Sequence, residues 1–114
     1  VKIKTKGGTK YERQIAEATV RWCVEHLNIG NVLISLIIKN HDDCWGSCIE
    51  GEVKKSYRIT VANEQGLRDF VATITHEMVH VMQWETGKWS GDGESEAKHW
   101  QYKLADKLWK ADVL

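Results

Sequence analysis

The stretch LRDFVATITHEMVHVMQWET, residues 67–86, constrains this chain more than any other part of it. Wound as a helix at about 100° per residue, it places Val71, Ile74, Met78, Val81 and Met82 on one apolar face. Gly87 follows as a C-terminal stop, so a helix is expected from about Leu67 to Thr86. His76 and His80 then point nearly opposite the apolar face. Being four residues apart, they sit one above the other, with Cβ atoms about 6 Å apart. The fold must bury one side of this helix and find a use for two histidines on the other.

The rest of the chain supplies the partners. TKYE, from Thr9 to Glu12, reads as a capping box that opens a helix over about Tyr11–Leu27, with Ile15, Ala18 and Trp22 at helical spacing. VLISLIIK, from Val32 to Lys39, is β-branched and apolar, hence a buried strand. KNHDD reads as a turn, CWGSCIEG as a second strand and SYRITVA as a third. KWSGDG is a loop, and Asp92 caps a last helix over about Gly93–Ala111. The order of helix, three strands and two helices predicts one α+β domain over residues 1–114. Its helices should pack on a small, mostly antiparallel sheet. Repeats, linkers and low-complexity tracts are absent, and with no proline the breaks fall to glycine and polar turns.

The histidine spacing suits zinc, whose bonds to imidazole nitrogen are about 2.0–2.1 Å. Glu77, offset by one residue, is poorly placed to bind the ion but can reach a water on it. Two neutral imidazoles holding a Lewis acid, with a carboxylate to take a proton, form a hydrolytic set. HExxH arises by accident in roughly a few per thousand chains of this length. A catalytic zinc usually takes three protein ligands and leaves the fourth position open. The third is expected from the last helix, where Glu94, Glu96 and His99 are the candidates. Glu94 sits almost at the helix start, and acidic residues there already favour the helix dipole. His99 has a better height but points away from the stripe of Ala97, Trp100, Leu104 and Leu108. Glu96 flanks that stripe within reach of a long side chain. The expected order is Glu96, then His99, then Glu94.

WGSC (Trp45 to Cys48), YRITVA and THEMVHVMQWETG together resemble the SprT-like small zinc metallopeptidases and their WGSC-containing relatives. The similarity covers most of Cys44 to Trp100. It implies a minimal zincin-like domain, Zn²⁺ as cofactor, peptide or protein substrates and Glu77 as the catalytic base. That family closes its site with a histidine followed four residues later by an aromatic residue. Here EAKHW puts Glu96 in the place of the histidine and Trp100 in that of the aromatic. A glutamate ligand followed by alanine resembles the gluzincins. Both comparisons select Glu96 beside His76 and His80.

Sixteen basic residues balance sixteen acidic ones, so nothing draws nucleic acid or an anionic membrane from a distance, although a local patch would not show in that sum. No apolar run is long enough to span a bilayer. Cysteines number three and their spacing suggests no disulfide framework, which favours a reducing cytosol. Cys44 and Cys48 read as buried thiols, and Trp22, Trp45 and Trp100 as core residues. Trp84 and Trp89 flank the loop near the site. Tyr57, Arg58, His99 and Tyr102 are the candidates to stabilise an oxyanion. The leading expectation is a monomeric zinc endopeptidase. Its rivals are a metal- or protein-binding module with little turnover and a protease acting on DNA-bound proteins. Glu77 argues against the first, and the neutral charge against the second.

Overall fold

The first helix begins where its capping box says it must. The Glu12 amide donates to Thr9 Oγ1 at 3.1 Å, and the Thr9 amide donates to Glu12 Oε1 at 2.7 Å. The computed structural model describes residues 1–40, 44–112 and 114. Their order is β1 (Lys2–Gly7), α1 (Lys10–His26), β2 (Leu33–Lys39), β3 (Gly46–Glu50), β4 (Ser56–Ala62), α2 (Leu67–Thr86) and α3 (Glu94–Lys110). Helix α2 ends at Gly87, in the left-handed region at φ +68°, and its amide donates back to the Gln83 carbonyl. Positions 41–43 of the expected KNHDD turn lie outside the described residues.

The α+β class stands, but the sheet has four strands in the order β1-β2-β4-β3 and is mixed. Strands β1, β2 and β4 run parallel, and only β3 is antiparallel, pairing with β4. This corrects the expected three-stranded, mostly antiparallel sheet. Strand β1 is hard to read from sequence because KIKTKG carries a single strong hydrophobe, Ile3, which suits an edge strand buried on one side. With β1 in place, α1 becomes the crossover between two parallel strands. Strand β4 then inserts between β2 and β3, so β2 and β4 are neighbours without being a hairpin.

Alternation sends Ile34, Leu36 and Ile38 of β2 and Tyr57, Ile59 and Val61 of β4 to one face, in register and buried. Helices α1 and α2 cover that face, with Val20 and Cys23 from α1 and Val71, Ile74, Met78 and Val81 from α2 in one core. Helix α2 is also covered on its far side, where Val79 packs against Ala97 and Leu104 of α3. Full burial of a side chain such as Leu104 stabilises by about 1.5–3 kcal/mol. The buried Thr75 hydroxyl lies 2.9 Å from the Gln101 carbonyl oxygen and pins the two helices together. Trp100 leaves the predicted stripe and is 38% exposed, while Ala105 is buried in its stead. Trp45 is also exposed rather than part of the core, and so is Cys44.

Candidate metal centre

The two histidines project from the middle of α2 toward the start of α3. Their rings lie 5.1 Å apart between centroids, at 73° to one another. His76 Nε2 is 3.1 Å from Glu94 Oε2, and His80 Nε2 is 2.8 Å from Glu94 Oε1. One carboxylate therefore faces both rings. Among the described residues, His76, His80 and Glu94 form a group whose ligand atoms all lie within 4.8 Å of one another, close enough to hold a metal ion.

Glu94, and not Glu96, supplies the carboxylate of this group. The expectation for Glu96 assumed that α3 starts level with the end of α2 and must climb back. Instead, the loop after Gly87 climbs by itself. Gly93, at the foot of α3, accepts a hydrogen bond from Gln83 Nε2 at 3.0 Å. Gln83 is only three residues past His80, or about 4.5 Å along the axis. Glu94 is thus already level with the histidines. Glu96 turns to Gln83, accepting from its Nε2 at 2.8 Å. His99 is exposed beside Lys103, 3.3 Å away, and takes no part. Asp92 does bind the foot of α3, accepting from the Glu94 amide at 3.0 Å.

Two glutamines outside the HExxH motif orient the two histidines. Gln83 is only 2% exposed, and its Nε2 donates to both Gly93 and Glu96. That leaves its Oε1 to accept from His80 Nδ1, at 2.9 Å. Gln101 Oε1 lies 2.6 Å from His76 Nδ1 in the same relation. A neutral imidazole donating from Nδ1 presents a bare lone pair at Nε2. The two Nε2 atoms and the carboxylate converge here, close enough together to hold a metal ion. The donor set of two imidazoles and one carboxylate suits a first-row divalent metal and leaves coordination room on the open side. The spacing of Gln83 from His80, three residues on, was the legible signal; Gln101 had none without the packing of α3.

Glu77 lies beside this group without joining it. It is 5% exposed, and burial raises its carboxyl to about 7. The His80 charge opposes that rise, and the Glu94 charge adds to it. Strand β3 closes on it from the other side. A Cβ on Gly46 would fall 2.4 Å from Thr73 Cγ2 and 3.0 Å from Glu77 Oε2, so glycine is what lets the strand approach. Between them opens a cleft of about 660 Å³, whose lining includes Trp45, Gly46, His76, Glu77, Glu94 and Tyr102.

The four oxyanion candidates separate cleanly. Only Tyr102 lines the cleft, with its hydroxyl donating to Asp69 at 2.7 Å. Tyr57 donates to Glu85 and stacks on Trp84, at 5.7 Å between centroids. Arg58 is exposed in a strand position facing away from the helices, and His99 is turned to Lys103. Trp84 reaches the site through its ring, 6.3 Å from that of His80, whereas Trp89 is exposed.

No protein-family model, curated protein or solved structure matches the chain. The resemblance to small zinc peptidases accordingly rests on WGSC, YRITVA and the HExxH residues themselves.

Proposed function

We propose that the chain is a zinc-dependent metallopeptidase of the HExxH type, in which His76, His80 and Glu94 hold the ion and Glu77 is the general base. The observation that carries this reading is Glu77. A site with only a structural role has no need of a buried carboxylate beside its ligands, opening into a cleft large enough for a peptide. Zinc, when bound, supplies Lewis acidity toward a carbonyl oxygen and toward water. Gln83 and Gln101 hold the imidazoles in the tautomer that presents Nε2 to the ion. Glu77 takes a proton from the attacking water and returns it to the leaving amine. Of the four oxyanion candidates Tyr102 is the one on the cleft wall, and it would donate to a developing oxyanion by exchanging its hydrogen bond to Asp69 for one to the substrate.

The test is Glu77→Gln, which keeps shape and removes the base. Zinc content should be unchanged and the fold retained, while cleavage of an unfolded substrate such as casein falls by about 10²–10⁴-fold. Equal cleavage by wild type and variant would remove Glu77 from the mechanism. If neither protein cleaves any of a broad peptide set while both hold zinc, the site serves binding and not turnover.

A further inference from the structure

The balanced total charge conceals a one-sided surface. Helices α1 and α2 lie together on one face of the sheet, and among the described residues no helix covers the other face. Strand pairing puts Lys2, Lys4 and Lys6 of β1 on that open face, in line with Leu33, Ser35 and Ile37 of β2. The same rows continue into Ser56, Arg58 and Thr60 of β4 and end on Ser47 and Ile49 of β3, with Lys39 at the top of β2. All five cations are exposed, and the outward strand positions hold no carboxylate. Among the described residues none of the five is ion-paired.

Lysines on an edge strand are a common guard against strand pairing between molecules, and that accounts for β1. It does not account for Arg58 and Lys39, which stand on the central strands β4 and β2. Outward residues on one strand are about 6.6 Å apart, and strands about 4.8 Å. The cations therefore form a patch about 20 Å long, with neighbours inside or close to the screening length of about 8 Å in physiological salt, so they act on a facing charge together.

The aliphatic residues among them decide what that charge belongs to. Ile49 is 53% exposed in the same row as Lys4 and Arg58. At the end of the sheet where β2 begins lies a depression of about 450 Å³, in which Val1 and Leu33 and the edge of the buried Val32 are ringed by Lys2, Asn31, Lys54 and Lys55. The acids of the nearby hairpin, Glu50 and Glu52, line an adjoining hollow that shares Lys54 and Lys55 with it and runs to the side of Trp84 and Glu85. No outward strand position carries an aromatic ring on which a base could stack. A phosphodiester backbone has no use for exposed isoleucine, whereas lipid offers both headgroup phosphate and acyl chain.

We infer that the open face of the sheet docks on an anionic lipid bilayer, with the lysines and Arg58 on the headgroups and Ile49 and the apolar depression at the acyl boundary. The cleft opens on the helix side, so a protein held in this way keeps its candidate metal centre exposed. The inference does not depend on turnover at that centre.

The experiment is sedimentation of the whole chain with vesicles of phosphatidylcholine alone, or of phosphatidylcholine with about one third phosphatidylserine. Binding is expected only to the anionic vesicles and should weaken as salt rises. A cation near such a surface is worth about fivefold, so combining Lys2→Gln, Lys4→Gln and Lys6→Gln should cut partitioning roughly a hundredfold. Ile49→Ser should weaken it several-fold and leave the salt dependence alone. Unchanged melting temperature and zinc content in both variants show that the fold survives. No binding to anionic vesicles, or binding indifferent to the triple substitution, overturns the inference. So does tighter, lysine-dependent binding of a nucleic-acid oligomer, which would make the face a phosphate-backbone surface instead.

Discussion

Substituting Gly93 by alanine tests the relay from the foot of α3 to the metal ligands, and Gly87 provides its control. Both glycines are left-handed, at φ +82° and +68°, so alanine at either pays a backbone term of about 1–2 kcal/mol. They differ in what a Cβ meets. At Gly87 nothing lies within 4 Å, whereas at Gly93 it would fall 2.2 Å from Gln83 Oε1 and 2.8 Å from Cδ. The Gln83 amide must leave its place, and with it go the bonds to His80 Nδ1, to the Gly93 carbonyl and to Glu96. Stranding such buried polar groups costs about 1–3 kcal/mol. Gly93→Ala should therefore destabilise by about 2–5 kcal/mol and Gly87→Ala by about 1–2 kcal/mol. For a domain of this size the gap is roughly 5–15 °C in melting temperature, read by circular dichroism in chelator. Because His80 loses its orienting acceptor, zinc affinity in Gly93→Ala should fall by about 10–100-fold, measured by competition with a chromophoric chelator. It should hardly change in Gly87→Ala. Equal melting temperatures for the two variants, with equal zinc affinity, would refute the relay through Gln83.

Further outcomes follow from the same geometry. Glu94→Ala should weaken zinc binding by about a hundredfold or more, and Glu96→Ala by tenfold at most, because Glu96 acts only through Gln83; the reverse order in a calorimetric titration would restore Glu96 as the ligand. In the metal-free protein, the Glu77 carboxyl is raised to about 7 by burial, so the folded state binds that proton more tightly than the unfolded chain does. That contribution is complete below pH 4.5 and disappears as pH rises through about 7, a loss of about 3 kcal/mol. Denaturant titrations at several pH values in chelator should show the decline in wild type and a flatter profile in Glu77→Gln; parallel profiles would refute it. Gly46→Ala should press on Thr73 and Glu77, lowering stability and any peptidase activity together while leaving zinc affinity within a few-fold, because the atoms it meets belong to Thr73, Glu77 and Thr60 and not to His76, His80 or Glu94.

Local chemistry decided the elements. The capping box at Thr9, the apolar period of α2 and its stop at Gly87 act within a few residues, so they could be read directly and fell where expected. The placement of His76 and His80 on one side of α2 follows from helical geometry alone. What could not be read depended on distant parts of the chain. KIKTKG is a strand only because β2 offers an edge to it, and β2 and β4 are parallel only because β3 folds out to the margin. The choice of Glu94 over Glu96 turned on how steeply the Gly87–Gly93 loop climbs, which Gln83 fixes by binding Gly93 across the helix pair. Total charge likewise said nothing of the open sheet face, because pairing register gathers Lys2, Lys4, Lys6 and Arg58 from segments more than fifty positions apart. Hydrophobic period and capping are properties of neighbours in sequence, whereas ligand sets and charged faces are properties of neighbours in space.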